Sequence, residues 1–507
     1  MPYPYRTRPR IYQAEALQKL AQTGGRCALL MDPGTGKSKV AIDYLGALTM
    51  KYGAQDWLVT APLSALDGWT LEVERHLPEE IPREIIDLTE GKLSIEEKAA
   101  RIRELEPVTE GLRLVLVNHD AFGSKAKAKA LDGSGRKLST VTVWDRIVGA
   151  IEQWTPDGIV LDESHRMKSH TAYRSQAMAR LAKTVNKRIA LTGTVAPRNV
   201  LDIFGQWLFV NPSRFGRDWN AFRFYYAKWG GFENKQPVAF LNTGEMRKKL
   251  LEDAIVVKKE TALDLPPLTE TILPVRLDER ERKAYRDMGT EMLVELEGGD
   301  EAIAPIPLTR MLRLRQITGG FVGYEDEYGE RRETRIGDSK LRAVVEKTLD
   351  LLDAGEKVVI FAHFREDLAA LEARLRSRLR HDDVLVHRVD GATPKGERLQ
   401  ARQTFLEDER RQVFIAQMRT MSLGVNELVA ARVAIFYSLS ERRDDYDQCV
   451  DRLNRIGQSQ PMTIYHALVP DSVDEVILSG HRDKLNLEQA ITTQSEARRI
   501  LTLGDVT

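Results

Sequence analysis

Cys27-Ala-Leu-Leu-Met31-Asp-Pro-Gly34-Thr35-Gly36-Lys37-Ser38 decides how this chain is read. The apolar run Cys27–Met31 predicts a buried strand, and it leads into a glycine-bearing loop that ends in Gly36-Lys37-Ser38. Glycines let the backbone curl until its N–H groups converge on an anion, and the following helix adds its positive N-terminal end. In such a cradle Gly34, Thr35 and Gly36 wrap the phosphates, Lys37 reaches the β- and γ-phosphates, and the Ser38 hydroxyl ligates Mg²⁺. Met31 stands where the eight-residue phosphate-loop pattern has its first glycine.

A phosphate loop needs acidic partners, and Ile159-Val-Leu-Asp162-Glu163-Ser-His165 supplies two. A buried strand would deliver both carboxylates at its C-terminal end, where parallel-sheet ligand sites form. There Asp162 would hold the hydrated Mg²⁺, and Glu163 would orient and deprotonate the attacking water. Arg188-Ile-Ala-Leu-Thr192-Gly-Thr194 ends a further strand in two hydroxyls, which either relay hydrogen bonds from the metal site or simply close a turn. Near the C-terminus, Gln448-Cys-Val-Asp-Arg452-Leu-Asn-Arg455-Ile-Gly-Gln458 is expected to set two arginines at i and i+3 on one helix face. Arginine presents a rigid donor fork to phosphate. As fingers onto a nucleotide, such residues are worth about 10³–10⁵ in turnover; as a solvated basic face they would do nothing. Tyr12-Gln13 offers an amide that could read an adenine edge. Lys125–Lys129 with Arg136-Lys137, Arg247–Lys249 and Lys258-Lys259 suit a phosphate backbone and a solvated loop equally.

The totals bound what surrounds these residues. At 507 residues the chain is too long for one ordinary core, so two to four domains are expected. Hydrophobic residues make up 42% and charged residues 30%, a globular rather than disordered balance. Lys+Arg and Asp+Glu both number 75, so any nucleic-acid surface must be local and offset by acidic patches elsewhere. Two distant cysteines, Cys27 and Cys449, exclude a disulfide framework or structural zinc site. With no signal-peptide core and no bilayer-spanning run, the expected location is intracellular, in the cytoplasm.

Short, near-continuous apolar runs recur at Trp57–Thr60, Leu112–Val117, Gly158–Leu161 and Arg188–Thr192. A second series follows at Lys357–Ala362, Asp383–Val389, Gln412–Ala416, Ala434–Tyr437 and Thr463–Leu468. Such runs predict strands buried on both faces of a parallel sheet, and their alternation with helices makes each half a doubly wound α/β lobe. Between them, roughly 205–335, aromatics crowd Trp219–Trp229, a charged helical stretch covers Asp278–Leu296, and acidic loops surround Gly298–Asp300 and Glu325–Glu330. This reads as a helical insert with a linker. The expected division is a nucleotide-binding lobe at 1–204, the insert at 205–335, a second lobe at 336–480 and a helical tail at 481–507.

In this order the motifs resemble the superfamily 2 helicases and translocases, specifically the Swi/Snf branch that includes chromatin remodellers and bacterial and viral relatives. The resemblance covers about residues 8–480. Thr60-Ala-Pro62-Leu-Ser64-Ala-Leu-Asp-Gly-Trp69-Thr-Leu-Glu72 looks like the branch's second motif. Asp162-Glu-Ser-His165-Arg-Met-Lys168 is similar to its Asp-Glu-x-His box, and Leu191-Thr-Gly-Thr194 to its third motif. Asn211–Gly216, Leu265-Pro-Pro267 and Leu314-Arg-Gln316 fall where the branch carries insert and linker motifs. Val389-Asp-Gly391 with Arg398 and Phe405 precedes motif V, and Arg452–Gln458 fits motif VI. Two places depart: Met31-Asp32-Pro33 replaces the usual acidic pair before the glycine, and Ser422-Leu-Gly424-Val-Asn426-Glu-Leu428 lacks the glycine doublet of motif V.

The resemblance implies two tandem RecA-like lobes and a DNA-dependent ATPase. ATP would be held by Gln13, Gly34, Thr35, Gly36, Lys37, Ser38 and Gln448, with Mg²⁺ between Ser38 and Asp162. Lys37, Asp162, Glu163, Arg452 and Arg455 would be catalytic. It places DNA near Ser64, Asn118, His119, Lys168, His363, Arg365 and Ser422, and implies a monomer tracking duplex DNA without sequence preference. Two other readings share these lobes. One is a strand-separating or annealing helicase on forked DNA; the other is a nucleotide-gated remodeller of a protein–nucleic-acid complex, with a protein partner on 205–335.

Overall fold

The structure is a computed structural model. It describes residues 3–91, 93–123, 143–193, 196, 199–230, 236–297, 308–325, 331–421, 427–483 and 503. The chain forms two compact units, Met1–Asp264 and Leu265–Thr507.

The first unit is built on β1 (Arg26–Met31), β2 (Gln55–Ala61), β3 (Arg83–Asp87), β4 (Leu112–Asn118), β5 (Gly158–Asp162), β6 (Lys187–Thr192) and β9 (Ala254–Val257). They lie in the order β3-β4-β2-β5-β6-β1-β9, every neighbouring pair parallel. β2, β5 and β6 bury nearly every residue, as uninterrupted apolar runs require when helices cover both faces. A separate antiparallel hairpin pairs β7 (Ala227–Gly230) with β8 (Gln236–Phe240). Trp207, Phe222 and Tyr226, from the beginning of the expected insert, are buried in the same cluster as Leu58, Val115 and Ile159. The segment 203–226 is therefore part of this unit's core.

The second unit carries β10 (Leu268–Pro274), β13 (Val358–Ala362), β14 (Val384–Val389), β15 (Arg411–Gln417), β16 (Val433–Phe436) and β17 (Met462–Leu468). Their order is β10-β17-β16-β13-β15-β14, again all parallel. β11 (Phe321–Glu325) and β12 (Arg331–Arg335) form a hairpin. The expected fold class, two tandem parallel α/β lobes, is the one observed; the stretch 205–335, expected as a helical insert, carries six strands as well as helices among its described residues. Each strand anticipated from an apolar run is present to within a few residues. β9 and β10, both inside 205–335, close one edge of each sheet. No helix among the described residues is long and apolar enough to cross a membrane.

Candidate nucleotide site and nucleic-acid-facing residues

Three neighbouring strands, β5, β6 and β1, end side by side. At a parallel-sheet spacing of about 4.8 Å, the ends of β1 and β5 lie about 10 Å apart. The chain leaving β1 does not pair with its successor but crosses to β2, on the far side of β6 and β5. That break in strand order opens a crevice at the carboxyl edge. The phosphate loop follows β1, Thr192-Gly193 ends β6, and Asp162-Glu163 ends β5.

The loop is held from three directions. Gly34 and Gly36 adopt φ of +81° and +88°, a region that side chains avoid. A Cβ on Gly36 would come within 2.5 Å of the Gln13 amide. Gln13, on α1 (Ile11–Gln22), donates from Nε2 to the Thr35 carbonyl (2.9 Å) and accepts the Arg10 N–H at Oε1 (2.9 Å). The adenine-reading amide is thus engaged in fastening α1 to the loop. Tyr12 donates its hydroxyl to the same carbonyl (3.2 Å). On the opposite side the Asp32 carboxylate meets Lys258 Nζ (3.2 Å) and accepts the Lys259 N–H (2.9 Å), so these lysines anchor the loop just past β9. Gly193 touches the loop from β6: a Cβ there would sit 2.6 Å from Pro33 Cδ.

α2 (Lys37–Tyr52) starts at Lys37, whose ammonium donates to the Met31 carbonyl (2.9 Å) and so lies back across the loop it closes. Ser38 is the next residue, half-buried at the helix start.

Asp162 is 8% exposed. Its Oδ1 accepts the Glu163 N–H (2.9 Å), and its Oδ2 accepts the indole N–H of Trp69 (3.0 Å), a residue of α3 (Leu63–His76). Burial, then the adjacent Glu163 charge, pushes the Asp162 carboxyl up to about 6, while Trp69 and Lys37 oppose the rise. Glu163 turns the chain sharply, with φ +50° and ψ +48° in a non-glycine residue. Such strain costs on the order of 1–3 kcal/mol and persists only where neighbours enforce it. His165 Nδ1 lies 3.2 Å from Glu163 Oε2 and 3.0 Å from Thr192 Oγ1, tying the second carboxylate to the end of β6. The residues fit a magnesium nucleotide. Gly34 and Gly36 take the left-handed φ that curls the loop backbone around an anion, and each Asp162 oxygen spends one of two lone-pair directions, leaving the other for a hydrated cation.

Of the residues expected at nucleic acid in this unit, Ser64 lies in the first turn of α3, and Lys168 is half-buried after the short turn Ser164–Met167. Asn118 ends β4 and accepts from Lys98 Nζ (3.0 Å). The neighbouring His119 is a correction. It is 1% exposed, and burial, then Arg166, pushes its imidazole down to about 3, so it is a neutral core residue rather than a surface contact.

In the second unit, Gln448 and Arg452 lie on the helix Arg443–Leu453. Arg455 does not share their helix face. Asn454 leaves helical geometry (φ −87°, ψ +79°), and Arg455 sits in the turn beyond, its carbonyl accepting the Gln458 N–H (3.0 Å). The cause is Gln458, which donates to the Val429 and Ala431 carbonyls (3.3 and 3.0 Å) and draws the chain towards β16. Arg365 is exposed. His363 is pushed down to about 3 by burial, then by Arg315, so its imidazole is neutral. Thr194, Ser422 with the motif V stretch 422–426, the basic run 125–137 and most of the C-terminal tail lie outside the described residues.

Sequence reasoning passed over Trp69. It was legible as part of a motif, but its bond to Asp162 depends on β2 and β5 being neighbours, which spacing along the chain does not reveal.

With this geometry in place, the comparisons fix the class. Residues 12–319 match the SNF2-related domain, and residues 339–457 match the helicase conserved C-terminal domain. The chain belongs to the SNF2-related family and is a helicase-like ATPase core. It is similar to protein p41 of Acyrthosiphon pisum secondary endosymbiont phage 1, 25% identical over 407 residues that cover 75% of this chain and 82% of that protein. It is also 25% identical to protein CHROMATIN REMODELING 4 of Arabidopsis thaliana, over 96% of this chain, and to human chromodomain-helicase-DNA-binding protein 7, over 94%. It spans only 21% and 15% of those two relatives. Among solved structures, the Sulfolobus solfataricus SWI2/SNF2 ATPase core in complex with dsDNA aligns over 99% of this chain and 98% of that one, with 19% identity and a TM-score of 0.41.

Proposed function

We propose that this chain is an ATP-driven translocase that moves along double-stranded DNA without sequence preference. The observation that carries the reading is the convergence of the phosphate loop, Thr192 and the Asp162-Glu163 pair on three adjacent strand ends, in a chain of the SNF2-related family.

Gly34, Thr35, Gly36, Lys37 and Ser38 hold the ATP phosphates, Gln13 braces the loop beside the adenine end, and Gln448 also serves nucleotide binding. Ser38 and Asp162 would hold Mg²⁺, which would supply neutralisation of charge on the phosphoryl group. Glu163 takes the proton of the attacking water, its carboxylate steadied by His165. Arg452 and Arg455 act as fingers that stabilise the transition state, which makes hydrolysis depend on both units. Ser64, Asn118, Lys168, His363, Arg365 and Ser422 bear on the DNA, chiefly through phosphates. Binding is therefore salt-dependent and blind to sequence. The functional division at 204, 335 and 480 goes with this reading, as do monomeric action inside the cell and a protein partner for the 205–335 insert.

Steady-state ATPase activity at one fixed salt, with no nucleic acid, single-stranded, duplex or forked DNA, or RNA, tests it. The expected result is stimulation by duplex DNA well above the rest. Preference for forked or single-stranded DNA would replace translocation with strand separation or annealing. Stimulation by none would make a protein partner the activator.

A further inference from the structure

Trp69 stands apart from the residues assigned so far, because nothing in a hydrolytic mechanism calls for an indole. It is 2% exposed, and its Nε1–H ends on Oδ2 of Asp162 at 3.0 Å. An indole nitrogen is a donor only. This bond therefore cannot reverse, and it favours the ionised carboxylate in one orientation. With the Glu163 N–H on Oδ1, each Asp162 oxygen is fixed by one donor and the carboxylate plane cannot rotate freely.

The element that carries Trp69 has a second end. α3 begins directly after β2, and β2 pairs with β5 through Thr60↔Leu161, one residue short of Asp162. α3 starts at the surface with Leu63, which is 52% exposed, and turns inward by Leu66, which is buried. From Ser64 to Trp69 is five residues, about 7.5 Å along a helix. A rigid rod of under two turns thus joins an exposed helix start to the oxygen of a buried acid.

We propose that Trp69 is a positioning residue for the metal-holding carboxylate, and that α3 transmits engagement of its N-terminal turn to Asp162. This rests on the reading above that Asp162 holds Mg²⁺ and that Ser64 faces DNA. When the turn is loaded, α3 seats the indole against Oδ2 and orients the remaining lone pairs towards the cation. When the turn is free, the carboxylate is held less well.

The test uses the full chain with Trp69→Phe. Because a core substitution can disturb folding, a second variant carries benzothienylalanine at position 69, an isostere of the indole that lacks the N–H. Two quantities are read: the gain in affinity for a fluorescent ATP analogue on adding Mg²⁺ to EDTA-treated protein, and the ratio of ATPase rates with and without duplex DNA. A lost hydrogen bond to a charged group predicts that both fall about tenfold, while affinity in EDTA stays within about twofold. If a folded variant retains either the Mg²⁺ gain or the duplex ratio of the wild type, the proposal is overturned. If the wild type itself shows no duplex stimulation, the proposal falls together with the reading of function. Wild-type stimulation that both variants preserve overturns this proposal alone.

Discussion

Single side chains decide the chemistry. Glu163 sits where the strand end, a left-handed turn and the His165 contact all point its carboxylate at one place. Glu163→Gln keeps the shape and removes the base, so turnover should drop by at least about 10³-fold while nucleotide affinity stays within about threefold. Steady-state ATPase and fluorescent-nucleotide titration check the two halves, and persistent hydrolysis would reassign the base. Gly36 is constrained both by its φ of +88° and by the Gln13 amide. Gly36→Ala should weaken nucleotide binding by about tenfold or more, because the loop must open by the roughly 1–2 kcal/mol that a left-handed alanine and a displaced glutamine cost. Isothermal titration would show it, and unchanged affinity would mean that the loop binds in another conformation. Asp367 lies in the second unit's interior, where burial pushes its carboxyl up to about 7 against the opposing Ser438 hydroxyl bond. The folded state thus keeps a proton that an unfolded carboxyl, with a pKa of about 3.9, has already released. Stability from this group is complete below the unfolded pKa and is lost as pH rises through about 7. Urea midpoints at pH 5.5 and 8 should show a smaller loss in Asp367→Asn than in wild type.

At the level of elements, the helix Leu308–Thr318 shows how linker and motif are joined inside the second unit. Arg315 is buried; it donates to Glu441 (2.7 Å) and the Leu439 carbonyl (2.5 Å) and lies over the Phe364 ring. It therefore fixes the segment that opens the helix bearing Gln448 and Arg452. Arg315→Ala should destabilise this unit by about 2 kcal/mol, since it removes the buried partner of Glu441 and leaves only the more distant Arg419 beside it. Differential scanning calorimetry would resolve the change, and a loss below 1 kcal/mol would mean that the segment holds itself. Elements were legible in the sequence where burial was two-sided. Val358–Ala362 is a continuous apolar run and Leu112–Val117 is broken only by Arg113, because both faces are buried, and the strands fall on them. The edge strands β9 and β10 were not legible, whereas β14, also at an edge, was. β10 reads Leu-Thr-Glu-Thr-Ile-Leu-Pro and is mostly exposed, and β9 has four residues, so neither carries a two-sided pattern. Arg455 was misplaced for another reason: the i, i+3 spacing assumed a helix that Gln458 ends early. His119 was expected at DNA from the family resemblance alone, which carries no information on the burial that leaves this side chain 1% exposed.

At the scale of the whole molecule the chain forms two parallel-sheet units. The first holds the phosphate loop and both carboxylates, and the second carries the arginines. With Lys+Arg and Asp+Glu balanced at 75 each, affinity for DNA comes from local contacts and should fall steeply with salt. The measurement that tests the central claim most directly is displacement of a third strand from a duplex by the purified chain. The account predicts ATP-dependent displacement from blunt duplex DNA, with no need for a single-stranded tail, and none with Glu163→Gln. Duplex-stimulated hydrolysis that never displaces the third strand would contradict it.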